Sequence, residues 1–273
     1  MSVHTHDYRV DTDAGRLHAR QWRPSSPDAD AATPFVLFHD SLGCVELWRD
    51  FPARLAQVTG RRVIAYDRLG FGRSDPHPGT LDRHFVHDEA NGGFRAVCEQ
   101  LGVADFIGFG HSVGGGMAIA CAAAYADHCR GLITESAQAF VEDRTVQGIR
   151  AAQQQFAQPG QLERLRKYHG DKAAWVLHAW IDTWLAADFA DWNLDDTLRH
   201  VACPVLVLHG EHDEFGSFRH PERIAALAAG PASMHILADC GHVPHREQAE
   251  VVLGLIGAWL ARAHTQAGVR ARD

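Results

Sequence analysis

From residue 34 onward, short apolar runs alternate with amphipathic stretches, and this alternation limits the folds open to the chain more than any other feature. The runs are PFVLFH (34–39), RRVIAYD (61–67), ADFIGFG (104–110), GLITES (131–136), PVLVLHG (204–210) and SMHILAD (233–239). Their continuous apolar character suits strands buried on both faces. Between them, helical periodicity marks 45–59, 81–101, 112–128, 221–229 and 242–263. Strand and helix repeated in this order predict an α/β fold, a mostly parallel sheet covered by helices on both faces. Residues 16–22 alternate polar and apolar as an antiparallel edge strand would, and PSSPDADAAT (24–33) reads as a surface loop.

The alternation breaks once, between about 139 and 200, where the sequence is helical and aromatic and lacks a strand signal, with Trp175, Trp180, Trp184, Phe189 and Trp192. An insertion of that length between two strands predicts a helical cap over one end of the sheet. The expected division is a core of 1–138 and 201–273, with the cap at 139–200. Trp175, His178, Trp180 and Trp184 are the cap residues offered for the wall of a substrate pocket, with core packing as the competing reading for each tryptophan. For His178, and for Arg144 as a further polar candidate, the competing reading is an exposed surface position.

The sharpest local signal is Gly110-His111-Ser112-Val113-Gly114, a G-x-S-x-G between a predicted strand and a predicted helix. A serine on so tight a turn adopts a strained backbone, and small neighbours let the turn close. Its hydroxyl then projects at the positive end of the following helix. A serine hydroxyl is a poor nucleophile at neutral pH and needs a base, which a carboxylate must orient. The chain offers both after later strands: Asp213 in GEHDEFG and His242 in DCGHVPH. Glu135, which ends the strand after the nucleophile helix, is the rival carboxylate. Glu211, Glu214 and Asp239 are weaker rivals. His245 lies one helical turn beyond His242 and is expected to line or cover the site.

Composition narrows the partners. A net charge of −8 opposes binding to a phosphate backbone, and no apolar run approaches the roughly 18–20 residues of a membrane span. The start MSVHTHDYRV lacks the apolar stretch of an export signal, so the expectation is a cytoplasmic protein. The partner expected is a small-molecule substrate, with no nucleic acid and no membrane; a homo-oligomer is left open. Cysteines 44, 98, 121, 129, 203 and 240 form no C-x-x-C pair and read as buried reduced thiols. The 19 histidines include no H-E-x-x-H, so neither a metal nor any other cofactor is expected.

Taken in order, HDSLG (39–43), YDRLGFGRSD (66–75), GHSVGG (110–115), GEHD (210–213) and GH (241–242) resemble the α/β-hydrolase superfamily over essentially the whole chain. Among its members the segments are most similar to small capped enzymes: enol-lactonases, carboxylesterases, carbon–carbon bond hydrolases and cofactor-free haloperoxidases. The resemblance implies an eight-stranded sheet and a Ser112–His242–Asp213 triad. It also implies an oxyanion hole formed by the backbone N–H groups of Val113 and Ser41. The chain departs from the family pattern at Asp40, where a glycine is usual; a carboxylate aimed at the hole would oppose the charge developing there, so Asp40 is expected to turn away. The implied activity is hydrolysis of an ester, lactone or related carbonyl compound with an apolar or aromatic part. Carbon–carbon bond hydrolysis, perhydrolysis and a ligand-sensing role with vestigial turnover are the alternatives.

Overall fold

A computed structural model describes residues 2–270; Met1 and 271–273, at the outer limits of the expected core ranges, lie outside the described residues. Eight strands form one sheet in the order β1-β2-β4-β3-β5-β6-β7-β8. They are β1 (Val3–Thr12), β2 (Gly15–Pro24), β3 (Phe35–Phe38), β4 (Val63–Tyr66), β5 (Phe106–His111), β6 (Cys129–Glu135), β7 (Val205–Gly210) and β8 (Ala232–Leu237). β1 and β2 are antiparallel to each other, and β2 is antiparallel to β4; β4 through β8 run parallel. The strand at 16–22 is therefore not an edge. β1 covers it, and β1 gave no apolar signal because Val10 is its one buried residue.

Eleven α-helices are described: α1 (Phe51–Thr59), α2 (Phe85–Asp88), α3 (Gly93–Leu101), α4 (Val113–Ala124), α5 (Asp143–Phe156), α6 (Gln161–His169), α7 (Ala173–Trp184), α8 (Asp195–Leu198), α9 (Arg219–Leu227), α10 (Pro244–Glu247) and α11 (Ala249–Arg270). Three stretches expected to be continuous are broken. Arg49 (φ 54) separates a 3-10 turn from α1, a turn ending at Gly92 (φ −101, ψ −110) separates α2 from α3, and Gln248 (φ −135, ψ 48) separates α10 from α11. Each break is a local backbone excursion that apolar periodicity cannot register. None of the described helices is long and apolar enough to cross a membrane.

Successive residues of the parallel strands feed opposite layers, as the two-residue period of a strand requires. Val36, Phe38, Val205 and Val207 pack with Phe94 of α3, Met117 of α4 and Ile224 of α9. Phe35, Leu37, Leu206 and Leu208 pack with Leu55 of α1 and with Ile256 and Trp259 of α11. The central helix α4 is buried from Val113 through Ala122, which is why it is apolar all round instead of amphipathic.

Between β6 and β7 the chain leaves the sheet for α5–α8. The excursion is pinned where it begins and ends: Phe140 bridges Asn193, Val141 N–H donates to Trp192 O at 3.1 Å and Leu194 N–H to Ala139 O at 2.8 Å. This small bridge is an exception to the expected absence of strand structure in the insertion. Two close approaches position α4. A Cβ on Gly110 would lie 2.1 Å from Gly114 O, and one on Gly114 would lie 2.2 Å from Phe38 O.

The strand order reverses at β3: β4 lies on one side of it and β5 on the other. Loops leaving the carboxyl ends of β3 and β5 therefore diverge and leave a crevice, the usual place for a ligand in an open α/β sheet. Gly114→Ala should lower unfolding free energy by about 1–3 kcal/mol, because the obstructing atom is backbone. Gly254→Ala, exposed in α11 with nothing within 4 Å of an added Cβ, should raise it by about 0.5–1 kcal/mol. Urea unfolding of both variants checks the pair.

Candidate active site

Ser112 sits between the end of β5 and the first turn of α4 with φ 57 and ψ −128, backbone angles that glycine tolerates and other residues rarely adopt. Two backbone hydrogen bonds hold it there. Its N–H donates to Glu135 O at 2.9 Å and its carbonyl accepts from Gly115 N–H at 2.8 Å. The hydroxyl faces a cavity of about 200 Å³ that is also lined by Ser41, Gln138, Trp180, Phe215 and His242. Ser112 Oγ donates to Gln138 Oε1 at 3.3 Å, and among the described residues no hydrogen bond joins it to His242.

His242 reaches the cavity from the loop after β8. Its Nδ1 lies 2.9 Å from each oxygen of Asp213, so the proton sits on Nδ1 and Nε2 is left free. Asp213 is buried in the loop after β7, and its Oδ1 also accepts from the N–H groups of Phe215 at 2.8 Å and Gly216 at 3.1 Å. Burial pushes the Asp213 carboxyl up, but the charge and hydrogen bond of His242, with His209 and the Phe215 N–H, hold it down at about 2. Burial pulls the His242 imidazole down; Asp213, with smaller contributions from Glu214 and Asp40, more than offsets this and raises its pKa. The Phe215 ring packs on His242 with centroids 4.8 Å apart.

Glu135, the rival carboxylate, pairs with a different histidine. Its Oε2 accepts from His245 Nδ1, both groups are buried, and the His245 ring packs against Trp48 at 4.6 Å and Phe51 at 5.4 Å. His245 therefore lies behind the site and does not line the cavity. His111 stands between the two histidines and donates from Nε2 to the His242 carbonyl at 2.8 Å. Burial holds its pKa down at about 4, so this support is neutral at ordinary pH. His111, Glu135 and His245 are the one buried set among the described residues whose ligand atoms could hold a metal ion. His111 Nε2 and His245 Nδ1 are, however, already engaged with protein partners.

The loop after β3 is fixed through its carbonyls. Arg68 donates to Asp40 O at 2.7 Å and His169 Nε2 to Leu42 O at 3.0 Å. Because a trans peptide is planar, a carbonyl of Asp40 turned to Arg68 makes the N–H of Ser41 point the opposite way. Val113, first in α4, has an N–H with no intrahelical acceptor. Asp40 lines the cavity, with Oδ1 over Gly43 and Oδ2 3.7 Å from His111 Nδ1. The expected turning away of this carboxylate is thus incomplete.

Of the four cap residues expected at the pocket, the structure brings two to it. Trp180 and Trp184, four apart on α7, both line the cavity. Trp175 instead donates to Gly79 O at 2.7 Å and stacks on His77 at 5.0 Å, while His178 is exposed and pairs with Asp182 at 3.1 Å. Both residues line a separate cleft of about 380 Å³ that does not reach Ser112. A third cleft, about 470 Å³, lies along β1 and α3 and is equally remote. Sequence reasoning missed Gln138 and Phe215, whose only signal was their position just after β6 and Asp213.

Residues 35–255 match the profile of the Alpha/beta hydrolase family, which is most of the chain. The chain belongs to the alpha/beta hydrolase family. It is 28% identical to the 2-hydroxymuconate semialdehyde hydrolase of Pseudomonas sp. (strain CF600), over 90% of this chain and 93% of the relative. Among solved structures it resembles a proline iminopeptidase from Mycobacterium smegmatis (TM-score 0.74, 22% identity, 96% of this chain and 100% of that one). It also resembles the enol-lactonase from Burkholderia xenovorans LB400 (TM-score 0.71, 20% identity, 93% of this chain and 100% of that one).

The backbone of Ser112 allows a direct test of its strain. Ser112→Ala and Ser112→Gly both lose the hydroxyl, so their difference isolates the backbone. In ordinary positions alanine is the more stable of the two. At φ 57 glycine should be more stable by about 1–2 kcal/mol, measured by urea unfolding.

Proposed function

We propose that this α/β-hydrolase is a serine hydrolase that cleaves a small ester, lactone or related carbonyl compound with an apolar part. Ser112 is the nucleophile, His242 the general base and Asp213 the residue that orients it. The observation that carries the reading is the Asp213–His242 pair at 2.9 Å, opening onto the same cavity as a serine held at φ 57. In the proposed cycle the Ser112 hydroxyl rotates from Gln138 to His242 Nε2. Its proton passes to the imidazole as Oγ bonds to the substrate carbonyl carbon. The N–H groups of Val113 and Ser41 receive the oxyanion, helped by the positive end of α4. Collapse expels the leaving group with the proton from His242, and a water activated by the same imidazole releases the acid.

Residues 139–200 act in this reading as a cap that sets substrate range, because Trp180, Trp184, Thr145 and Ile149 wall the cavity while the triad lies outside the insertion. A second reading, hydrolysis of a carbon–carbon bond beside a carbonyl, is favoured by the near full-length likeness to 2-hydroxymuconate semialdehyde hydrolase. A panel of p-nitrophenyl esters, lactones and vinylogous diketones separates the two.

The base must be neutral to accept a proton, and the His242 pKa is raised above 6.5. kcat/KM should therefore climb with pH through an apparent pKa above that value. Ser112→Ala should cut kcat about 10⁴-fold or more. Asp213→Asn should cost several orders of magnitude and move the acid limb downward, since burial then acts on His242 without its counter-charge. Glu135→Gln should leave the acid limb in place. An Asp213→Asn enzyme that stays active beside an inactive, folded Glu135→Gln would exchange the two roles.

A further inference from the structure

The cavity over Ser112 is one-sided in charge. Its wall is mainly apolar and aromatic, and the ionisable residues lining it, apart from His242, are Asp40 and Glu214. Among the described residues no lysine or arginine lines it. Two nearby guanidinium groups are already engaged within the protein: Arg144 donates to Asp213 O at 3.0 Å, and buried Arg68 donates to His39 and to Asp40 O.

Among the described residues neither carboxylate forms an ion pair with a lysine or arginine. The Asp40 side chain is 33% exposed and lies 3.7 Å from His111, which burial keeps uncharged, while the buried Arg68 guanidinium that bonds the Asp40 carbonyl acts on this carboxylate from a longer distance. Glu214 is exposed and has no side-chain ion pair among the described residues. Both carboxylates raise the pKa of His242, so their charge is felt where the substrate carbonyl would sit. The chain's net charge of −8 adds to the same field.

An anionic group entering this space would give up its water beside two like charges, with no lysine or arginine in the cavity wall to bond it. A cation would meet two carboxylates and the aromatic faces of Trp180, Trp184 and Phe215; the Trp180 and Phe215 rings lie 5.9 Å apart.

We propose that the cavity selects by charge, a proposal that rests on the serine-hydrolase reading. It accepts carbonyl substrates whose acyl part is neutral or carries an ammonium or quaternary ammonium group, and it rejects those bearing a carboxylate. An acid substrate of the kind named for the Pseudomonas relative is outside this class. Asp40 and Glu214 are the specificity-determining residues.

The test uses p-nitrophenyl esters of hexanoic acid, 6-(trimethylammonio)hexanoic acid and, as the monoester, adipic acid, which differ at the end of the acyl chain. In each, Ser112 Oγ takes the acyl group, p-nitrophenolate departs and water releases the acid. The adipate ester should show kcat/KM at least about tenfold below the hexanoate ester, and the trimethylammonio ester should equal or exceed it. Glu214→Gln, Glu214→Lys and Asp40→Asn should each raise the adipate-to-hexanoate ratio, the lysine variant most. An adipate ester handled as well as hexanoate, or a ratio that none of the three variants moves, would overturn the proposal. Turnover of none of the esters would instead overturn the serine-hydrolase reading. The charge order is then read from binding of the corresponding p-nitroanilides by quenching of tryptophan fluorescence: the same order supports charge selection, and equal binding rules it out.

Discussion

The structure turns on a reversal completed at one residue. β5 ends at His111, α4 begins at Val113, and Ser112 takes up the change of direction at φ 57. Such a turn needs α4 to press against the ends of two strands, and it does so where side chains are missing: Gly110 against Gly114, and Gly114 against the Phe38 carbonyl. The same contact sets the loop after β3 beside the first N–H groups of α4, at the point where the strand order reverses. Strain at Ser112, a positively polarised helix end and a crevice thus come from one packing arrangement. The buried length of α4 supplies the burial that holds the strain in place.

Two histidine–carboxylate pairs lie close together behind this turn, and their environments separate their roles. Asp213 and His242 open onto the cavity. Glu135 and His245 are buried between β6, Trp48 and Phe51 and do not line that cavity. His111 links the two by holding the His242 carbonyl, so the loop that carries His242 is anchored to the strand that leads into Ser112. Burial would disfavour charge on His242, and the nearby carboxylates reverse that preference.

Strands buried on both faces were legible from their apolar runs, and the serine turn from its glycines. β1 was not, because a strand that exposes nearly all its residues has no apolar signature. The breaks at Arg49, Gly92 and Gln248 are local turns of one to a few residues, below the resolution of periodicity. Trp180 and Trp184, four apart, share the cavity side of α7, but helical spacing could not say which side of the helix that would be. Trp175 and His178 project from other sides of that helix, toward Gly79 and solvent. His245 was misread for a related reason: Pro244 opens α10 and turns the next side chain inward to Glu135. Gln138 and Phe215 belong to loops whose course depends on tertiary packing, which no local pattern encodes.

The central claim is that Ser112 forms the covalent bond to substrate, and mapping an irreversible adduct tests it most directly. Wild-type protein would be treated with a fluorophosphonate, digested and examined by tandem mass spectrometry. The account predicts one phosphonyl group per chain, on the peptide containing Ser112, forming faster as pH rises through the His242 titration and much more slowly in Asp213→Asn. An adduct on another residue, or none in a preparation that still hydrolyses esters, would contradict it.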